Sequence, residues 1–119
     1  MTTSNVNDLI LTRSDGRDDG ENWTDNFQGL PGDAAVSLIL ECTPRTGVGP
    51  RLHKHPYAET FLIRRGSATF TIGSEHLTGR AGQVLVVPAE TPHTFSSGPD
   101  GYEAVHIHAN PRFVNDWLA

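Results

Sequence analysis

The chain has 119 residues, 36% of them apolar and 8% aromatic, which suffices for one hydrophobic core and not for two. A net charge of −5 and a single lysine, Lys54, exclude a basic footprint for nucleic acid. No apolar run approaches the ~20 residues of a membrane helix. The polar start carries no secretion-signal pattern, so the expected setting is cytoplasmic, with neither membrane nor nucleic acid as partner. Cys42 stands alone, which rules out an internal disulfide and a cysteine-built zinc site.

Residues 1–33 hold seven acids against two arginines, the whole of the net charge, and read as an acidic, solvated N-terminal arm. Within it, residues 9–11 suit a short first strand, and residues 14–20 are all turn and charge. Trp23 and Phe27 are the large apolar anchors expected to pin the arm to the body. From residue 34 the pattern turns to strands: 34–43, then a Gly/Pro loop to residue 50. Residues 59–65 and 67–72 read as a hairpin around Gly66. A short strand begins at residues 76–78, and 83–87 is a buried apolar strand closed by Pro88. Strands at 93–96 and 102–108 follow, with 97–101 as the turn between them. Asn110 suits an N-cap and Pro111 a first helical position, with Phe113 and Trp117 at i,i+4. The organisation is then an arm over 1–33, a β-barrel over 34–110 and a short helix over 111–119. About eight short strands point to an all-β sandwich or barrel.

Six histidines stand at 53, 55, 76, 93, 106 and 108. On a strand His53 and His55 share a face, ~6.6 Å apart along it, and two imidazoles so placed can converge on one ion. Glu59 follows the break at Pro56 and can face the same interior from the next strand, and His93 can close a set of three histidines and a carboxylate. Such nitrogen and oxygen donors suit Fe, Mn, Ni, Cu or Zn as a divalent ion without choosing among them. Spacing alone leaves open that the histidines lie in a surface loop and that Glu59 is a solvated charge.

Gly47, five residues, His53-Lys54-His55, three residues, Glu59, six residues and Gly66 resemble the first motif of the cupin superfamily. Gly82, five residues, Pro88 and His93 resemble the second. The resemblance implies a double-stranded β-helix, or jelly-roll barrel, with one metal per chain held by His53, His55, Glu59 and His93. It also implies a homodimer. The chain departs from the pattern twice, with Glu90 where the second motif has glycine and Ser97 where it has asparagine.

Around such a site, Tyr57 can cover the metal, and period 2 puts Phe61 and Ile63 on the face of Glu59 and Phe95 on the face of His93. In residues 102–108, ordinary patterning buries Val105 and Ile107 and exposes His106 and His108. A barrel with both faces covered instead lets His106 enter the cavity as a hydrogen-bonding or acid–base group. Single-domain length and motif spacing resemble small flavonol-dioxygenase-like cupins. That favours O2-dependent dioxygenation of a small enolic, phenolic or carboxylate substrate, with Glu59 as catalytic carboxylate. Two other readings stand beside it: non-redox isomerase, cyclase or lyase chemistry, and small-molecule binding without turnover.

Overall fold

A computed structural model gives the fold and describes residues 5–12 and 22–119. The turn-and-charge expectation for residues 14–20 lies outside the described residues. Among the described residues eight strands follow in chain order: β1 (Trp23–Phe27), β2 (Ser37–Thr43), β3 (His53–Lys54), β4 (Glu59–Ile72), β5 (Glu75–Arg80), β6 (Val84–Val87), β7 (His93–His108) and β8 (Asp116–Trp117). All pairings are antiparallel, in the order β1-β2-β7-β3-β8, with β4 paired to β5, β6 and β7. The all-β expectation is met. The helical element among the described residues is a 3-10 turn at Val6–Leu9. It takes up the start of the strand expected at residues 9–11. The Asn5 side chain accepts from the Asn7 N–H at 2.9 Å and so initiates a turn instead.

The two segments read as hairpins are long bent strands. β4 runs unbroken through Gly66, and β7 runs unbroken through residues 97–101. Gly66 (φ +67°) and Gly101 (φ +79°) kink together, and the β4–β7 register slips between Ile63 and Arg65 and between Gly66 and Ala68. A Cβ on Gly66 would collide with the Gly101 carbonyl. A glycine at positive φ marks a bulge as readily as a turn, and here the bulge folds one strand pair around the barrel.

Residues 23–27 attach to the body as a strand that the sequence reading did not anticipate: β1 pairs with β2 along its whole length, from Trp23 opposite Cys42 to Phe27 opposite Leu38. The C-terminal segment differs from expectation. The C-terminal helix expected over 111–119 is absent. Asn110 Nδ2 donates to the Arg112 carbonyl at 2.6 Å instead of capping a helix. The Phe113 N–H donates to Gln28 Oε1 at 3.0 Å, the Val114 N–H to the Tyr57 hydroxyl at 3.1 Å, and the Leu118 N–H to the Leu52 carbonyl at 3.0 Å. Backbone groups spent on distant partners cannot also close helical turns, so the segment lies extended across the barrel and forms β8 against β3.

The core gathers Phe61, Ile63, Ala68, Phe70, Val87, Phe95, Tyr102 and Ala104. At one end of the barrel the usual patterning is inverted. Ser37, Glu41, Thr43, His106 and His108 are buried inside, while Leu38, Leu40, Val105 and Ile107 lie half-buried on the outer face. Residues 83–87 are not a buried strand either: Val84 is 62% and Val86 55% exposed.

Glu90, in place of the motif's glycine, sits at φ +61°, with its N–H donating to the His55 carbonyl at 2.7 Å. A side chain in that region costs ~1–2 kcal/mol relative to glycine. Glu90→Gly should therefore raise stability by about 1 kcal/mol, read as a higher urea midpoint at unchanged slope.

Candidate metal centre

His53 lies in β3, directly opposite His93 at the start of β7. His55 leads into the corner at Pro56, and Glu59 opens β4. One donor atom from each of the four side chains lies within 4.8 Å of all the others, and all four residues are buried. His55 Nε2 is 2.9 Å and His93 Nε2 3.1 Å from Glu59 Oε1. Two ligands at ~2.1 Å from one ion and at right angles to each other are ~3.0 Å apart, so these spacings are those of adjacent ligands.

The other ring nitrogens fix what this cluster can hold. His53 Nδ1 lies 2.7 Å from the Arg51 carbonyl, His93 Nδ1 2.9 Å from that of Thr91, and His55 Nδ1 2.9 Å from that of Val114. A carbonyl only accepts, so each Nδ1 carries the proton and each neutral ring presents an Nε2 lone pair. Three such lone pairs and a carboxylate converge on one point. That arrangement repels itself unless a cation, or protons, sits among the donors, and it is the donor set of a divalent transition metal. The residues fit the ion.

A second layer surrounds Glu59. His108 Nε2 is 3.1 Å and His106 Nδ1 3.8 Å from Glu59 Oε2, and the His108 nitrogen lacks an aligned hydrogen bond. Tyr57 lies 2.6 Å from His108 Nδ1, and Tyr102 2.8 Å from His106 Nε2. Burial works to raise the Glu59 pKa, but contacts from His108, His55 and His93 hold the carboxyl well below its ordinary range. Burial lowers the His53 pKa. It also opposes protonation of His55, where Glu59 and the Val114 carbonyl prevail and the shift is upward. Burial raises both tyrosines, and the carboxylates of Glu41 and Glu59 push Tyr102 further.

The four residues of the cluster line a cavity of about 220 Å³. Phe61, Phe95 and His106 line it. Tyr57 and Ile63 do not: Tyr57 stands behind His55 and His108, and Ile63 packs in the core. The wall also takes in His108, Glu41, Thr24, Asn26, Asn115 and Trp117. Sequence reasoning missed these last five, because Thr24 and Asn26 were assigned to the arm and Asn115 and Trp117 to an outer helix. For Glu41 the alternation of residues 37–43 carries a period but not which face points inward. Trp117 also packs on His53 at 5.2 Å between ring centres, with the Arg51 guanidinium 4.7 Å from the indole.

The family profile described as "Cupin domain" matches residues 39–109. Acireductone dioxygenase 1 of Pectobacterium atrosepticum is 43% identical over 65 residues, covering 50% of this chain and 37% of that protein. Oxalate decarboxylase of Bacillus subtilis superposes with a TM-score of 0.77 at 20% identity, over 87% of this chain and 30% of that one. The Lactobacillus farciminis oxalate decarboxylase formate complex gives 0.74 at 22% identity, over 87% and 33%. The chain thus spans about a third of the length of these relatives. The architecture is that of the cupin barrel.

Two outcomes follow from this geometry. His93→Ala removes one of the four candidate ligands and Tyr57→Phe removes the hydroxyl that holds Val114 and His108. Loss of an outer partner alone weakens metal binding ~10–100-fold, so Tyr57→Phe should fall in that range and His93→Ala beyond it, by competition with a chelating dye. Burial also lowers the His106 pKa to about 4, against 6.5 for a free side chain. The unfolded chain therefore takes up this proton more readily than the fold does. The contribution of neutral His106 is whole above pH ~6.5 and is lost as the pH falls towards ~4, a change of ~3 kcal/mol. Urea titration of the metal-free protein across that window should show the slope, and His106→Asn should flatten it.

Proposed function

The chain belongs to the cupin family, and on that premise we propose that it is a metal-dependent dioxygenase of a small enolic, phenolic or carboxylate substrate. The observation that carries the reading is the set of three Nδ1-anchored imidazoles and one carboxylate lining a partly apolar cavity. The likeness to an acireductone dioxygenase supports O2 as co-substrate. When bound, a redox-active divalent ion supplies a Lewis acid and electron-transfer centre for substrate and O2. His53, His55, Glu59 and His93 hold it. Phe61 and Phe95 exclude water and favour a flat, partly apolar guest. Glu59 is the proposed catalytic carboxylate: Oε1 sits among the ligating nitrogens, and Oε2 can accept a substrate proton.

The test is apo-protein reloaded without air with Fe(II), Ni(II), Mn(II), Cu(II) or Zn(II), then offered enols, phenols and keto acids in oxygenated buffer. Oxygen uptake with a redox-active ion, absent with Zn(II) and in Glu59→Ala, is the expected result. Turnover with Zn(II) and no oxygen demand overturns it in favour of isomerase, cyclase or lyase chemistry. Binding without conversion under every ion overturns it in favour of a binding protein.

For the partner we propose a second copy of the chain. Register aligns Leu40, Val105, Leu62 and Val84 in one row across four strands, and Leu38, Ile107, Thr60 and Val86 in the next. Val84, Val86 and Leu62 are 62%, 55% and 36% exposed, an apolar face that a second sheet would cover. Arg64 and Glu103, paired at 3.7 Å beside it, offer both signs to a two-fold-related copy. Sedimentation should give about twice the 12.9 kDa of one chain, and a Val84→Glu, Val86→Glu double variant should sediment as the monomer.

A further inference from the structure

We propose that Trp117 is a specificity-determining residue. Its indole forms a platform at the rim of the cavity and selects substrates whose metal-binding oxygens are attached directly to a flat aromatic ring. The inference rests on the metal-centre reading and adds where the next part of the ligand lies. Trp117 lines the same cavity as the four metal-site residues, yet 48% of it is exposed. A side chain that does both stands where the cavity meets solvent. Its distance from the metal centre follows from register, because Trp117 lies opposite His53 in the β3–β8 pair. The two ring centres are 5.2 Å apart and the planes are tilted by 48°, so the indole touches the ring of a candidate ligand. A group just beyond oxygens bound to that ion meets the indole.

The platform is held in place. The Arg51 guanidinium lies over the indole, 4.7 Å from its centre, and covers one face. The surface that stays exposed leaves the other face open. On either side of Trp117 the segment is pinned to the body: the Val114 N–H donates to the Tyr57 hydroxyl at 3.1 Å and the Leu118 N–H to the Leu52 carbonyl at 3.0 Å. Residues 48–50, which line the same cavity, are equally fixed. The Thr94 hydroxyl donates to the Pro50 carbonyl at 2.6 Å and the Ser97 N–H to the Val48 carbonyl at 2.9 Å. A Cβ on Gly49 would collide with the Phe95 carbonyl, so this loop lies close against β7. An indole face left in water is a cost that a ligand ring recovers on covering it. An aromatic already fixed in position loses little freedom on binding, and its offset-stacked contacts favour another flat ring.

The test uses the full chain loaded with Zn(II), so it does not depend on oxygen chemistry. Benzohydroxamic, cyclohexanecarbohydroxamic and acetohydroxamic acids share one chelating group. They differ in what it carries: a flat ring, a puckered ring of similar size, and a methyl group too short to reach the indole. Each is titrated by calorimetry into wild type, Trp117→Leu and Trp117→Phe, and its affinity is divided by its affinity for free Zn(II). Wild type is expected to prefer the flat ring to the puckered one by about three- to tenfold, the range of an aromatic pair. Trp117→Leu should lower that preference at least about threefold, and Trp117→Phe should keep it. Weaker support of His53 falls on all three ligands and cancels from the ratio. Wild type with no preference overturns the platform without any variant. So does a preference that survives Trp117→Leu, or one that Trp117→Phe loses as fully as Trp117→Leu. An equal loss for all three ligands also overturns it and makes the indole a support of His53 alone. In each of these cases the metal centre stands. Hydroxamates that bind metal-loaded and metal-stripped protein alike overturn the metal centre and the platform with it.

Discussion

Three backbone carbonyls decide what the barrel can hold. By accepting from the Nδ1 atoms of His53, His93 and His55, the carbonyls of Arg51, Thr91 and Val114 choose the tautomer and aim three lone pairs at Glu59. Imidazoles free to rotate would satisfy themselves on water or on one another. Anchored, they form a receptor for positive charge whether or not an ion is present, and the surrounding fold is arranged to keep those carbonyls in place. The Arg51 and Thr91 carbonyls each lie two residues before the histidine they hold, so they come with the strand geometry. The third does not, since Val114 is 59 residues from His55.

The bent strand pair β4–β7 answers a second requirement. A site of this kind needs side chains from several strands to meet at one depth, and a flat sheet spreads them apart. By kinking together at Gly66 and Gly101, the two strands carry Glu59, His106 and His108 on one limb and close the core with Phe70 and Phe95 on the other. The cost of turning histidines inward, with Leu38, Leu40, Val105 and Ile107 outside, is offset by hydrogen bonding among the inward groups.

The sequence reading succeeded where motif spacing carries the geometry. His53, His55, Glu59 and His93 were recoverable as one set because the resemblance of two motifs joined them; spacing alone left a surface loop open. The strand period of residues 102–108 was also legible, and they do alternate. What alternation cannot supply is which face is inside, since that depends on whether the centre of the barrel is apolar or polar. Glu41 was overlooked for that reason, and His106 was left open. Gly66 and residues 97–101 were read as turns because positive φ serves turns and bulges alike. Residues 111–119 satisfy every local rule for a helix, yet Gln28, Tyr57 and Leu52, all distant in sequence, claim their backbone groups.

The strap formed by residues 113–118 has a consequence for the order of events during folding. It contributes no metal ligand, but His55 takes its orientation from it and the chamber takes part of its wall. The HxH pair and its carboxylate can be synthesised, and can even collapse together, long before this late segment arrives to set the third ring. Closing so long a loop is among the slower steps available to a β-protein. The fully oriented ligand set therefore exists only once the barrel is sealed. Tight retention of an ion then reports a finished molecule, and half-folded chains, carrying the same histidines, compete poorly for scarce metal.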